Sequence, residues 1–376
     1  MRGSSVLLFS FDYPPSSGGI GRLCAQLARE LHRLVPVQVL SRKQVNTDPG
    51  AWVPEAFTVR VSSGRPWREI IAFWKLLWGF RECQVILCGI WYPEGLLALA
   101  SKLFRKRRVI ILAHGLELLP LGSWPFQAIR ATLRQFVLSY CDFIITNSRN
   151  TLRLVREAKG RAPAEALPLA VDSARFRPAP ASPRQYGPLN LEGKRVLLTI
   201  SRIQAYKGFE TVFQALAEIP ERDRYLYLIA GTGPDQRELE QKAVALGIHN
   251  QVKWLGFVPE QDLPKLYSAA DLFLLCTMDE ARSSYVEGFG LVFLEAQACG
   301  VPVIGTRTGG IPEALVERET GWLITPLDYL ELRTLLVDLF NHPQKLREAA
   351  QRARDRVVRE CRWDQYAQHV WQILQN

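Results

Sequence analysis

A chain of 376 residues with 48% hydrophobic content can bury two ordinary cores and is too long for one average domain. Its net charge of +10 is unevenly placed: residues 1–180 hold 25 Lys and Arg against 12 Asp and Glu, net +13, while the remainder holds 22 against 25, net −3. No run of about twenty apolar residues is free of charge and proline, and the nearest, Gln84–Phe104, is broken by Pro93 and Glu94, so a membrane-spanning helix is excluded.

The apolar part of Met1–Asp12 is too short for a secretory signal and predicts a first strand at Val6–Phe11, from which a cytoplasmic location is expected. Asp12–Arg22 follows, with Gly18, Gly19 and Gly21 ahead of a helix expected to run to about Leu34. Such glycines let backbone amides approach a phosphate. Their spacing is neither G-x-G-x-x-G nor the Gly-Lys-Ser/Thr of a P-loop, so no nicotinamide cofactor is implied; in isolation the segment also fits a plain strand-to-helix turn. Short apolar runs then alternate with amphipathic stretches: Val37–Leu40, Val85–Cys88, Val109–Leu112 and Phe143–Thr146 read as buried strands. Between them, Ser63–Arg81 carries four cations among Trp67, Phe73, Trp74, Trp78 and Phe80, which suits a helix packed on the sheet or one lying in a membrane interface. Phe104–Arg108 adds a second basic cluster. The basic first half suits a polyanionic partner, nucleic acid or an anionic membrane surface, as well as a generally basic soluble surface.

A proline-rich stretch, Arg177–Pro188, reads as a linker and puts a domain boundary near residues 178–193. The alternation then begins again with Val196–Ser201, Tyr225–Ala230, Val252–Leu255, Leu272–Cys276, Val301–Ile304 and Gly321–Ile324. Two doubly wound α/β domains in tandem are expected, residues 1–180 and 181–360, facing each other across a cleft. The helices from about Gln344 to Asn376, with Trp363 and Trp371, are expected to cross back, residues 361–376 completing the first domain. Seven cysteines (24, 83, 88, 141, 276, 299 and 361) lack a Cys-x-x-Cys pair and predict buried, reduced thiols rather than zinc ligands or disulfides.

Chemistry-bearing residues gather in the second half. Thr199–Glu210 carries Arg202 and Lys207 on a strand-to-helix loop, where a planar fork and a point charge can together neutralise a diphosphate. Ala230–Pro234 supplies a glycine turn and Trp254–Pro259 a further edge. Tyr285–Gly305 places Glu287 and Glu295 eight positions apart around Gly288 and Gly290, with a helix expected from Leu291 and a second Gly-Gly turn following in Thr306–Glu313. Glu287 would stand just before the helix and Glu295 about one turn inside it, with unpaired amides at the helix start able to bind a phosphate or a sugar hydroxyl. Alone, two such glutamates are equally compatible with a loop carboxylate and a solvated helix residue.

In this order, the motifs resemble the Glu-x7-Glu pattern and surrounding loops of the retaining family 4 glycosyltransferases (glycosyl transferases group 1), over nearly all of the chain and most strongly over residues 196–325. The resemblance implies a GT-B fold, α/β with two Rossmann-like domains, and a retaining, metal-independent hexosyltransferase that uses no cofactor. Carried over, it implies that Arg202 and Lys207 hold the diphosphate of a nucleotide sugar, a UDP- or GDP-sugar, joined by the amides of Gly18 and Gly19. Glu287 would contact the transferred sugar beside the amides of Phe289, Gly290 and Leu291, and Glu295 the ribose. His114, at the end of Val109–Leu112, matches a histidine near the donor sugar, with Glu117 in the place of a nearby acid. Transfer to a lipid-linked glycan or glycolipid, at the inner face of the membrane in polysaccharide or envelope synthesis, is the expected setting, with no nucleic acid partner. A sugar-nucleotide epimerase or phosphorylase, or a non-catalytic nucleotide-sugar binder, remains an alternative on the same fold.

Overall fold

The computed structural model describes residues 5–14, 18–43, 58–61, 64–120, 126–179, 185–279 and 285–376. Pro15–Ser17 of the first glycine loop and residues 180–184 of the linker lie outside them. The chain divides into two compact units, Met1–Leu169 with Trp363–Asn376, and Ala170–Arg362.

The first unit is built on seven parallel strands: β1 (Val6–Phe9), β2 (Val37–Arg42), β3 (Thr58–Val61), β4 (Val85–Cys88), β5 (Arg108–Ala113), β6 (Phe143–Thr146) and β7 (Ala164–Ala166). Their order is β3-β2-β1-β4-β5-β6-β7. Val6 pairs with Val37 on one side and Val85 on the other, so β1 is central, and every residue of β1 and β4 is buried. That burial explains why these strands are unbroken apolar runs in the sequence. β3 and β7, absent from the sequence reading, are edge strands of four and three residues without such a run.

The second unit repeats the plan. After a short hairpin of β8 (Gln185–Tyr186) and β9 (Leu189–Asn190) come β10 (Arg195–Ile200), β11 (Tyr225–Ala230), β12 (Val252–Gly256), β13 (Leu272–Leu275), β14 (Val303–Thr306) and β15 (Gly321–Ile324). The last six form one sheet, β12-β11-β10-β13-β14-β15, parallel throughout. In both units the winding direction reverses beside the first strand, between β1 and β4 and between β10 and β13. Loops diverge there at the carboxyl ends of the strands, which is where open α/β sheets bind ligands.

Residues 170–179, which run into the proline-rich stretch, pack with the second unit: Arg175 pairs with Glu260 at 2.9 Å and the Ala179 amide donates to Ser268 Oγ. Of the carboxyl-terminal helices, only Trp363–Gln375 joins the first unit, where Leu374 and Ile373 carbonyls accept from the Arg108 guanidinium. Pro343–Glu360 stays with the second, held by Arg356 Nη1 donating to the Ala314 carbonyl at 3.1 Å and by Arg354 donating to Ala298. All seven cysteines are buried free thiols.

Candidate active site

In the second unit the site is assembled from loops that leave β10, β11, β13 and β14. The loop after β10 carries Arg202 and ends in a single turn, Ala205–Lys207, before Gly208 opens the helix Phe209–Glu218. Gly208 has φ +78°, and a Cβ there would lie 1.7 Å from the Cys276 carbonyl oxygen at the end of β13. A side chain would therefore push the Lys207 turn off the adjacent strand end. The next loop buttresses this turn from the other side: the Ala205 amide donates to Asp235 Oδ2 at 2.7 Å, Ile203 bonds the Thr232 carbonyl, and a Cβ on Gly233 would meet the Ile203 carbonyl oxygen at 1.9 Å. The glycine turn Gly231–Pro234 thus supports the cationic loop through backbone contact, and Asp235 is a member of the site that the sequence reading missed.

Lys207 Nζ lies 2.6 Å from Glu287 Oε2, with both side chains mostly buried. Burial pulls the Lys207 ammonium down, but the Glu287 carboxylate and Tyr206 outweigh it and hold it above the ordinary lysine range. The same ammonium stands 5.0 Å from the centre of the Tyr206 ring, which stacks on Tyr285 at 4.3 Å with the rings 5° apart. Tyr206 and Tyr285 therefore tie the cationic loop to the glutamate loop. The tie is completed by the Met278 amide donating to the Tyr206 carbonyl at 2.8 Å.

Glu287 is fixed from behind, its carbonyl accepting from the Gly310 amide at 2.9 Å. Gly290, at φ +90°, turns the chain into the helix Leu291–Ala298, and among the described residues no side chain caps the helix start. The Phe293 amide bonds back to the Gly290 carbonyl at 3.0 Å, so the Leu291 and Val292 amides are the ones without a partner within the helix, at its positive dipole end. Glu295 lies one turn inside, as expected, and is buried; its Oε2 accepts from the buried Tyr267 hydroxyl at 2.8 Å. Phe289 is buried and contributes packing together with its backbone. Arg202 is exposed at the start of its loop.

The remaining candidates belong to the first unit. Gly18 is extended, and Gly19 begins the helix Gly19–His32, where an added Cβ would meet none of the described residues within 4 Å. His114 follows β5, and its Nε2 meets the Gly89 carbonyl at 2.7 Å. A carbonyl only accepts, so Nε2 carries the proton, and a neutral ring keeps its lone pair on Nδ1. Glu117 turns back to accept from the His114 amide at 2.6 Å, so its carboxylate shapes the histidine loop. Glu94, which breaks the apolar run Gln84–Phe104, is buried after β4: Oε1 accepts from the Phe11 amide at 2.8 Å, and among the described residues Oε2 has no hydrogen-bond partner. Burial, opposed by the Phe11 amide and Arg68 and reinforced by Asp12, pushes its carboxyl up to about 7.

Chemically, the second unit offers a cation, a carboxylate and uncapped helix amides at a topological switch point, a combination suited to an anionic group joined to a polyol. Among the described residues, no group of three or more His, Cys, Asp or Glu side chains could hold a metal ion.

Comparison with known proteins identifies the family and the fold. The family described as Glycosyltransferase Family 4 matches residues 17–175, and that described as Glycosyl transferases group 1 matches residues 185–356. A GDP-mannose-dependent monoacylated alpha-(1-6)-phosphatidylinositol monomannoside mannosyltransferase of Corynebacterium glutamicum is 31% identical over 301 residues, covering 79% of this chain and 77% of its own. A GDP-mannose-dependent alpha-(1-6)-phosphatidylinositol monomannoside mannosyltransferase of Mycolicibacterium smegmatis is 29% identical over 349 residues, 90% of each chain. Among solved structures, HepE of Anabaena in complex with UDP superposes with a TM-score of 0.80 at 21% identity, covering 99% of both chains. Sucrose-phosphate synthase of Thermosynechococcus elongatus reaches 0.83 at 23% identity, covering 99% of this chain and 98% of its own. The chain belongs to the family 4 glycosyltransferases and has their GT-B fold of two Rossmann-like α/β domains.

Proposed function

We propose that this protein is a retaining hexosyltransferase that moves a sugar from a nucleotide sugar to a glycolipid or lipid-linked glycan. The observation that carries this reading is the Lys207–Glu287 pair beside the uncapped start of helix Leu291–Ala298. Lys207 and Arg202 take the diphosphate, and Glu287 turns from Lys207 to a hydroxyl of the sugar. The amides of Phe289, Gly290 and Leu291 line the same place, and Glu295 binds the ribose. The first unit supplies the Gly18 and Gly19 amides and His114, and binds the acceptor.

When the anomeric C–O bond to the diphosphate breaks, positive charge grows on the sugar ring and negative charge on the leaving phosphate. Fixed cations and amide dipoles stabilise the second, and the Glu287 carboxylate favours the first. The acceptor oxygen then attacks on the same face. Its proton passes to the departing phosphate oxygen, so the anomeric configuration is retained. Glu287 and Glu295 share one short segment and do not flank both faces of a sugar, which argues against a two-carboxylate glycosidase scheme. This scheme requires no metal.

The relatives of 29% and 31% identity support GDP-mannose as the first donor to test and a phosphatidylinositol-based glycolipid as the acceptor class. The experiment is a thermal-shift screen over UDP- and GDP-sugars followed by donor-consumption assays with and without lipid acceptor. GDP-mannose is expected to stabilise the protein, with GDP released only slowly until acceptor is added. Conversion of donor without acceptor, to an epimer or free sugar phosphate, would favour the epimerase or phosphorylase reading. Binding with no turnover of any donor would defeat the enzyme reading.

A further inference from the structure

The first unit carries an aromatic surface whose use the proposed reaction does not explain. The helix Trp67–Trp74 continues as a wider turn, Lys75–Gly79. Its inner face buries Ala72, Leu76 and Leu77, which accounts for its packing. The outer face leaves Trp67 at 65% exposure, Trp74 at 55% and Trp78 at 63%, with Ile70 between them, at helical spacing along one stripe. The turn after helix Leu96–Lys102 adds Leu103, 83% exposed, and Phe104. The two elements are joined: Phe104 meets Phe73 edge to face at 6.3 Å, and the Arg105 guanidinium sits 5.5 Å from the centre of the Trp78 ring. Single exposed apolar residues are ordinary on soluble proteins. A connected stripe with three tryptophans is not, and marks a surface that meets another apolar phase.

The charge around the stripe selects the partner. Lys75, Arg81, Arg105 and Lys106 reach solvent around it, against exposed Glu82, while Arg65 and Glu69 pair at 3.1 Å. The basic run Phe104–Arg108 does not act as one cluster. Arg107 is buried, donating to the Leu76 and Phe80 carbonyls, and Arg108 is tied to the last helix. Only Arg105 and Lys106 are left for a ligand from that run. Indole rings that prefer the headgroup level, bordered by cations, match an anionic bilayer surface.

We infer that the stripe Trp67–Trp78 together with Leu103–Lys106 docks this protein on an anionic membrane, its rings in the interface and its cations on the lipid phosphates. The purpose of docking rests on the proposed lipid acceptor, but the surface itself rests on these side chains alone.

The test is co-sedimentation of the full chain with phosphatidylcholine vesicles, with and without phosphatidylglycerol. Trp74→Glu/Trp78→Glu and Arg105→Gln/Lys106→Gln are compared with the unaltered protein. Binding is expected only with phosphatidylglycerol, falling by about tenfold or more in the tryptophan variant and by a smaller, salt-sensitive factor in the Arg105/Lys106 variant. Because these side chains lie outside the core, thermal stability and donor binding should hold in both variants. Equal sedimentation of the tryptophan variant, or no binding of the unaltered protein to anionic vesicles, would overturn the assignment. So would self-association in solution that the tryptophan variant abolishes, since the stripe would then cover a second copy. Vesicle binding by a protein that turns over no donor would keep the surface and remove the proposed reaction; turnover without vesicle binding would do the reverse.

Discussion

Lys207 and Glu287, eighty positions apart in sequence, form a 2.6 Å ion pair in the second unit of this protein. Each neutralises the other where solvent is largely excluded, so removal of one leaves a mostly buried charge without its counterion. Lys207→Met is expected to lower kcat/KM by about 100-fold to 1000-fold, as loss of an oxyanion-stabilising donor does. The same change should also destabilise the donor-free protein. Adding Glu287→Gln should recover part of the stability and none of the activity. Thermal denaturation of both single variants and the double variant measures the coupling; strictly additive stability losses would show that the pair is not coupled.

Gly208 of the cationic loop, set against Gly247 just after the helix Gln236–Ala245, makes a second test, because the structure separates backbone conformation from space. Gly208 and Gly247 both have positive φ, +78° and +67°, but a Cβ on Gly208 would strike the Cys276 carbonyl and one on Gly247 would meet none of the described residues within 4 Å. Gly247→Ala should therefore lose only the left-handed conformational term, about 1–2 kcal/mol. Gly208→Ala should lose far more, together with donor binding, as the Lys207 turn is pushed away. Similar melting temperatures for the two variants would contradict the close approach.

Much of this site was legible in the sequence because parallel sheets bury whole strands. Apolar runs marked the central strands, and the loops after them necessarily held Arg202, Lys207 and Glu287. Edge strands β3 and β7 gave no such run, and although residues 361–376 were expected to complete the first domain, nothing in the pattern showed that Pro343–Glu360 stays on the second unit and does not cross back with them. Long-range pairings were also hidden. Nothing in the pattern pairs Tyr206 with Tyr285 or Asp235 with the Ala205 amide, because those contacts follow from the spacing of strand ends. Glu94, two residues past a cluster of aromatics, gave no sign of being buried.

Glu94 makes a pH prediction. Its native carboxyl is held at about 7 against an ordinary value of 4.5, so between those values the folded protein keeps a proton that the unfolded chain has released. The stabilisation is complete below the unfolded value and is lost as pH rises through the folded one. Glu94→Gln keeps an oxygen for the Phe11 amide and removes the titration. The variant and the unaltered protein should melt close together at about pH 5, with the variant the more stable at about pH 8. A difference in melting temperature that does not change with pH would show that Glu94 ionises normally.

Tyr267 tests the role given to Glu295. Its hydroxyl donates to Glu295 Oε2 at 2.8 Å inside the core, and its ring lies against Phe273 at 5.7 Å and Phe176 at 6.1 Å. Tyr267→Phe keeps the ring packing and takes one donor from a buried carboxylate, which costs about 1–3 kcal/mol of stability. If Glu295 holds the ribose, the looser carboxylate should also raise the KM for the nucleotide sugar several-fold while kcat changes little, because the ribose is bound alike before and during transfer. Stability lost with no change in donor KM would leave Glu295 as a structural carboxylate. A fall in kcat at constant KM would move its action from the ribose to the reacting sugar.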